Sequence, residues 1–267
     1  MKAFLRVLRG ELLIKVRPQG TGAKFRRCKL MRPKAGSTVV TVSSHELAVS
    51  PKQVARYAGG ARYRMDHAQR GFVRAVLERA EQFARPAIVY AVHEVTGFLE
   101  DGTVQLSNRL AFPAPPGEQD AGMRRLAFCV CTIGPRLEEA VRALMAAGET
   151  LDGLFLDAAG VAFLEALSAR AYETLQKQAQ ARLLHAGCRF GPGCGEVDLS
   201  LQKQLFNLVD ASSIGVRLNE ACVMSPAKSL SFFMTWTTSQ ISQNSRNKCT
   251  ACGLTDCPYR ISVPAGA

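Results

Sequence analysis

Three cysteines near the C-terminus are spaced like ligands of a metal centre. Cys249, Cys252 and Cys257 form a C-x2-C-x4-C pattern, and a proline follows the last of them. Thiolates are soft donors that suit iron–sulfur clusters or zinc, and closely spaced cysteines followed by proline are typical of cluster ligands. We predict an iron–sulfur cluster of the 4Fe-4S type, with zinc, or free or disulfide-forming thiols, as alternatives. A closed site needs a fourth ligand, for which we expect Cys222 first and Cys194 second; an open iron on three cysteines is the other arrangement.

A glycine-rich loop is the second place where the residue types indicate chemistry. It runs Arg-Phe-Gly-Pro-Gly-Cys-Gly over 189–195. Glycines let a backbone approach a ligand closely and expose its N–H groups, and the proline stiffens the turn. Arg189 carries a guanidinium fork that can grip a carboxylate or a phosphate with two hydrogen bonds. The loop is a candidate for anion binding; an ordinary surface turn is the alternative.

The other reactive side chains show no such pattern. Cys129 and Cys131 stand two apart in an apolar stretch and are expected to be small buried residues of a strand. The four histidines have no metal-ligand spacing among them. The sequence has no Ser/His/Asp arrangement, no Walker loop and no strand–GxGxxG–helix unit. The cysteine run and the glycine-rich loop are therefore the candidate sites.

Hydrophobic periodicity predicts the elements that must position these residues. In the first half of the chain they are helices from Ser50-Pro51 to Gly59-Gly60 and over 67–83, a strand over 87–92 and a loop over 112–122. The first helix has a cap residue and a proline at its start and glycines at its end, as helix termini prefer.

The second half shows the same two periodicities. Its predicted elements are strands over 126–132 and 228–237 and helices over 136–147, 157–185 and 201–208. Gly187 is expected to end the longest of these helices. The last strand alternates apolar and polar residues, which predicts a half-buried antiparallel strand. Long helices and scattered strands without regular βαβ alternation predict an α+β fold.

An ordered set of short motifs runs through this second half. Its members are Thr132-Ile133-Gly134, Leu156-Asp157-Ala158-Ala159-Gly160, Leu164-Glu165-Ala166, Arg189, Pro192-Gly193-Cys194, Leu205-Phe206, Leu218, Glu220, Met224, Pro226, Ser229 and Ser231. In order and spacing they resemble the activation (S-adenosylmethionine-binding) domain of cobalamin-dependent methionine synthase. The resemblance covers 126–233 well and 50–92 loosely, and it does not extend to 1–36.

The resemblance implies a C-shaped antiparallel sheet with flanking helices and a shallow groove that binds S-adenosylmethionine. By matching position, Arg189 would hold the methionine carboxylate and Glu165 would lie near the ammonium group. The backbone of Gly191, Gly193 and Cys194 would line the ligand. The charges suit that role independently, because an amino-acid zwitterion needs one fixed cation and one fixed anion. The alternative for Glu165 is an exposed helix carboxylate, and Cys194 departs from the tyrosine of the family.

The function that the resemblance implies is the reductive reactivation of a corrinoid (cobalamin) methyltransferase. S-adenosylmethionine would methylate cobalamin on a corrinoid partner protein after one-electron reduction, a methyltransferase-type enzymatic role. The cysteine run has no counterpart in the family, and a cluster there would supply or relay the electron, alongside an electron donor protein. The alternative is a non-catalytic module that docks on a corrinoid protein and holds a structural zinc.

The positive charge is concentrated in one short segment. Residues 1–34 hold eleven Lys and Arg against one acid, of a formal net charge of +12, while the remainder carries 23 basic and 21 acidic groups. The body therefore lacks the basic footprint of a nucleic-acid-binding protein. We predict that 1–36 is a disordered basic extension. A start at Met31, a membrane-surface arm and a nucleic-acid arm are the alternatives.

Composition also bears on the compartment and on the division of the chain. The sequence contains no apolar run of about 18 residues and no signal-peptide pattern, so we expect no membrane span and a cytoplasmic location. In a reducing compartment, nine cysteines argue against a disulfide framework. Beyond the extension, we expect a helical and strand subregion over 37–122, an S-adenosylmethionine-binding region over 123–243 and a cysteine-rich metal-binding tail over 244–267.

Overall fold

The computed structural model describes residues 36–60, 63–115, 122–195 and 197–240, together with the backbone of 5–8 and 11–14. Its helices are α1 (Pro51–Gly59), α2 (His67–Phe83), α3 (Arg136–Ala146), α4 (Thr150–Gln180) and α5 (Leu201–Leu208), with 3-10 turns at Ser44–Glu46 and Ala211–Ile214. Its strands are β1 (Leu5–Leu8), β2 (Glu11–Ile14), β3 (Ser37–Thr41), β4 (Ala87–Phe98), β5 (Thr103–Leu106), β6 (Ala111–Pro113), β7 (Met123–Thr132), β8 (His185–Ala186), β9 (Arg217–Leu218), β10 (Met224–Ser225) and β11 (Ser229–Thr237). None of the helices in these ranges has the length and apolar character needed to cross a membrane.

Seven of the strands form one antiparallel sheet that curls into a half-barrel. Its order is β6–β5–β4–β7–β11–β8. On the side of β4 away from β7, β3 pairs with the first half of the strand and β5 pairs with its second half. Two small sheets, β1–β2 and β9–β10, stand apart from it. The predicted α+β class with a C-shaped antiparallel sheet and flanking helices is confirmed.

The sheet is covered on both faces, so its central strands bury alternate residues in two different cores. One core lies under α1 to α4 and takes Phe232, Met234 and Trp236 from β11. The other lies on the α5 side and takes Phe233 from β11 and Phe128 from β7. Strand β11 was expected to be half-buried, and that prediction is wrong: eight of its nine residues are buried. The cause is its interior position, which puts a packed layer on each face.

The termini of α1 and α2 confirm the predicted helices. In α1 the side chain of Ser50 accepts a hydrogen bond from the backbone of Gln53, whose own side chain accepts from the Ser50 backbone. Asp66 and Gln69 make the same reciprocal pair at the start of α2. Each pair satisfies N–H groups that a helix start otherwise leaves without an intrahelical partner.

Helix α4 is displaced toward the N-terminus relative to the predicted span of 157–185. It begins at Thr150, just after a turn in which Gly148 has a positive φ of 81°. It ends at Gln180, because Leu183 adopts a left-handed backbone and His185 and Ala186 pair with β11 as strand β8. Gly187 therefore lies beyond that strand and does not end the helix. The backbone hydrogen bonds of β8 go to the sheet, which helical periodicity alone does not reveal.

Further boundaries differ from the predictions, and the divisions at the two ends of the chain stay open. The strand predicted over 87–92 continues to Phe98, since its second half pairs with β5. The predicted loop over 112–122 begins inside β6, where Phe112 is fully buried. Most of the predicted extension over 1–36, and all of the tail over 244–267, lie outside the described residues. Those divisions remain predictions.

Gly160 on α4 provides a test of the helix packing. A Cβ at this position would lie 2.7 Å from Cδ2 of Leu137 and 3.3 Å from Cε of Lys228, and Leu137 is fully buried. Overpacking typically costs about 1–3 kcal/mol, more than the roughly 1 kcal/mol that alanine gains over glycine in a helix. We expect Gly160→Ala to lower the free energy of unfolding by about 1 kcal/mol, measured by urea denaturation.

Gly71 on α2 is the matched control for this substitution. A Cβ there would meet no atom within 4 Å. Gly71→Ala should therefore raise the free energy of unfolding by about 0.5–1 kcal/mol. The packing of α4 against α3 described above would be contradicted if both variants gained stability.

Candidate functional site

The glycine-rich loop continues the edge of the sheet beyond β8. The N–H of Gly187 donates to the carbonyl of Thr235, and Phe190 exchanges both backbone hydrogen bonds with Phe233 at 2.9 Å. The rings of Phe190 and Phe233 are also stacked, with centroids 5.6 Å apart. This pairing fixes the loop at its Arg189 end, because neighbouring residues of an extended segment point to opposite faces. Phe190 packs on the α5 side, so Arg189 is left to face α4.

Arg189 is held against α4 by neutral groups. Its Nη1 donates to Oγ of Ser168 at 2.9 Å. Its guanidinium carbon lies 5.1 Å from the ring centroid of Tyr172 and 5.9 Å from that of Phe232. An arginine over aromatic faces is attracted by the ring quadrupoles and keeps its charge. The cation is thus oriented while most of its five N–H donors stay available to another acceptor.

Glu165 lies one turn before Ser168 on the same helix. Residues three apart are neighbours on a helix surface, so the structure brings Glu165 and Arg189 to one stretch of α4. Their role in binding a ligand remains a prediction. The hydroxyl of Tyr57 on α1 donates to Oε2 of Glu165. Burial, and then this hydrogen bond, raise the pKa of Tyr57 above its ordinary value. Within the described part of the chain, neither Glu165 nor Arg189 forms an ion pair.

The rest of the glycine-rich loop uses its backbone donors internally. The N–H of Gly193 donates to the carbonyl of Val197 at 2.8 Å, and the N–H of Cys194 donates to the carbonyl of Gly191 at 2.9 Å. Gly193 has a positive φ of 81°, which glycine adopts without strain. The loop is therefore preformed, and these two N–H groups bond within it rather than projecting outward. The predicted role of Gly191, Gly193 and Cys194 in lining a ligand remains a prediction.

Cys222 sits in a tight turn between β9 and β10. It is buried, has a positive φ of 61°, and its carbonyl accepts a hydrogen bond from Nε2 of Gln202 at 2.8 Å. Oε1 of Gln202, which is buried on α5, accepts from Oγ of Ser231 at 2.9 Å. The carbonyl of Ser231 in turn lies next to Gly191, over which the Cys194 thiol folds. The Cys222 backbone is therefore linked to Ser231 through Gln202, and Cys194 lies near the same residue across Gly191.

The remaining predicted metal ligands cannot be placed. Cys249, Cys252 and Cys257 lie outside the described residues. Within 36–60, 63–115, 122–195 and 197–240, no three His, Cys, Asp or Glu side chains cluster in a way that could hold a metal ion. The metal site stays a prediction.

The cysteines that were expected to be structural are buried, as predicted. Cys129 and Cys131 on β7 are fully buried, and their Sγ atoms lie 3.8 Å apart. Burial raises the pKa of Cys129 well above its ordinary value, and the neighbouring thiol of Cys131 adds to this. Burial shields both thiols from reagents, and structural buried cysteines of this kind are inert.

Sequence reasoning missed the residues that support Arg189 and Glu165. Ser168 and Tyr172 follow Glu165 at i+3 and i+7, so the helical repeat could have placed them on its face of α4. Tyr57 gave no such signal, because its contact with Glu165 spans 108 residues of sequence. Gln202 gave none either, since a buried glutamine is recognised only by its partners.

Comparison with known proteins supports the fold. The sequence matches no family model and none of the curated proteins. Among solved structures, the chain is similar to one described as the crystal structure of the MetH reactivation domain bound to AdoHcy. The TM-score is 0.60 at 13% sequence identity, and the similarity covers 78% of this chain and 80% of that one. At this identity the likeness establishes a shared fold.

The exposure of the thiols predicts their order of reaction. Cys194 is exposed, whereas Cys129 and Cys131 are buried. At pH 8, after chelator treatment, we expect iodoacetamide to alkylate Cys194 at least about 100-fold faster than the buried pair, because a buried thiol meets the reagent only when the core opens. Peptide mass spectrometry over a time course measures the rates. Equal rates in the folded protein would contradict the burial of β7, and equal rates in urea are the control.

Proposed function

We propose that this chain binds S-adenosylmethionine through its amino-acid end, between Arg189 and Glu165. The observation that carries the proposal is the placement of one cation and one anion on one face of α4, each oriented by neutral partners. Arg189 is bonded to Ser168, one turn from Glu165, which corresponds to a rise of about 4.5 Å along the helix. The similarity to a domain whose crystal structure holds AdoHcy supports the choice of ligand.

The two side chains would bind the two charged groups of the ligand's amino-acid end. The carboxylate of the ligand would accept hydrogen bonds from the guanidinium N–H groups of Arg189 that do not donate to Ser168. The ammonium group would donate to the Glu165 oxygen that does not accept from Tyr57. Charge-assisted hydrogen bonds of this kind contribute about 1.5–3 kcal/mol each. Since both side chains are already oriented, less conformational entropy is lost on binding.

We further propose that the bound S-adenosylmethionine serves the reactivation of a corrinoid on a partner protein. In that reaction cob(II)alamin gains one electron, and the reduced cobalt takes the methyl group of S-adenosylmethionine to give methylcobalamin and S-adenosylhomocysteine. This chain would hold the sulfonium donor by its amino-acid end and present its methyl group to the partner. Holding two reactants in a productive geometry is the main contribution a protein makes to such a transfer.

An iron–sulfur cluster on Cys249, Cys252 and Cys257 would supply or relay the electron. The donor set suits it, because three closely spaced thiolates are soft ligands. The span of chain is also adequate for a fourth ligand near Ser231. From Thr237 back to Ser231 is about 20 Å along β11, and the nine residues from Gln240 to Cys249 can extend about 30 Å. Cys222 and Cys194 are therefore both within reach of the tail.

The ligand site is tested by Arg189→Ala. We expect S-adenosylmethionine binding, measured by calorimetry, to weaken about 10- to 100-fold, the equivalent of one charge-assisted hydrogen bond. Arg170→Ala is the matched control, because Arg170 is an exposed arginine of α4 whose nearest acid, Glu46, is 3.9 Å away. The proposed site is refuted if the wild type binds no S-adenosylmethionine, or if both variants bind as the wild type does.

The metal site is tested by elemental analysis of protein purified without oxygen. We expect iron and sulfide in near-equal amounts, and roughly half the iron or less after serine replaces Cys249, Cys252 or Cys257, because a hydroxyl is a poorer ligand than a thiolate. Comparison of Cys222→Ser with Cys194→Ser identifies the fourth ligand. Cys129→Ser is the control and should keep its iron. Zinc in place of iron would refute the electron relay and favour the docking module.

A further inference from the structure

The contact between Tyr57 and Glu165 links α1 to α4 at the proposed ligand site. Tyr57 lies on α1 and Glu165 on α4, and the tyrosine hydroxyl donates to Oε2 of the carboxylate. Helix α1 holds the tyrosine in place, because its start is closed by the Ser50–Gln53 pair and its Val54 side chain is fully buried. The hydroxyl is therefore presented from a rigid element.

The hydrogen bond from Tyr57 restricts a side chain that would otherwise be mobile. Glu165 is exposed, and an exposed glutamate side chain can adopt several rotamers. Without a partner, it would lose that conformational entropy when a ligand binds. A single hydrogen bond to Oε2 restricts the carboxylate and leaves Oε1 to accept. The partner is neutral and stays neutral, since burial and Glu165 raise the pKa of Tyr57. The negative charge thus remains available for a cation.

We propose that Tyr57 is the positioning residue for Glu165 and that this pair selects ligands that carry an α-ammonium group. The inference rests on the proposed function, because it assigns a role within that same site. It also gives α1 a part in ligand recognition, which neither the periodicity of α1 nor the motifs of α4 indicated. Tyr57 would act through Glu165 and would not itself contact the ligand.

Two probes separate positioning from a general effect on the fold. S-adenosylhomocysteine carries the complete amino-acid end, whereas 5′-methylthioadenosine has the nucleoside and thioether without it. In the full-length protein we expect Tyr57→Phe to weaken binding of S-adenosylhomocysteine about fivefold, within the range of coupling between contacting residues. Binding of 5′-methylthioadenosine should be unchanged. Tyr63→Phe is the matched control, because the Tyr63 ring packs against Phe155 and its loss of a hydroxyl should alter neither affinity.

A double-mutant cycle then tests whether Tyr57 acts through Glu165. Once Glu165→Ala has removed the acceptor, adding Tyr57→Phe should produce no further loss of affinity for S-adenosylhomocysteine. Additive losses, or equal losses for both probes, would overturn the positioning role. If the wild type binds S-adenosylhomocysteine and Tyr57→Phe binds it with the same affinity, this inference alone is overturned. A wild type that binds neither probe would overturn the proposed function itself. Unchanged melting temperatures show that each variant is folded.

Discussion

The packing of α4 across the sheet is the constraint on which the candidate site depends. Leu167, Ala171 and Leu175 lie on one stripe of this helix and are almost completely buried in the core that α1 to α4 share with the sheet. Once that stripe is fixed, the helical repeat decides what the neighbouring stripes present. Ser168 falls at the margin of the buried stripe, and Glu165 falls just outside it. A rotation of α4 about its axis would displace Ser168 and Glu165 and would also expose the buried stripe of the helix.

At this margin a charged side chain keeps part of its hydration and can still contact a ligand. A charge taken fully into a core loses its hydration, and the loss often exceeds what a partner returns. Arg189 avoids that cost by lying half-buried on two aromatic rings with a hydroxyl as acceptor, and Glu165 stays exposed beside a phenol. Both partners are neutral, so they orient the charges without cancelling them. The arrangement leaves a cation and an anion that can attract a zwitterion.

Strand β11 relates the two candidate sites to each other. Adjacent residues of a strand point to opposite faces: Phe232 faces α4 and supports Arg189, while Ser231 faces α5 and joins the Gln202 network that holds the Cys222 turn. The glycine-rich loop runs along the same strand and brings Cys194 to its edge. The Gln202 network and the Arg189 site therefore lie on opposite faces of one strand.

The sequence by itself determined the elements whose signals are local. The cap of α1, the periodicity of α1 and α2, the α+β class, and the burial of Cys129 and Cys131 were all predicted from the sequence, and all are confirmed. The resemblance also implied that Arg189 and Glu165 bind one ligand; the structure places both on α4 or against it, and their binding role stays a prediction. The tertiary structure alone decided where α4 ends, because the hydrogen bonds that convert 185–186 into a strand come from β11. It alone showed that β11 is buried on both faces, that Ser168 and Tyr172 hold Arg189, and that Tyr57 holds Glu165. Those contacts join residues far apart in sequence, and such contacts do not change the hydrophobic periodicity of either segment, so the sequence pattern does not reveal them.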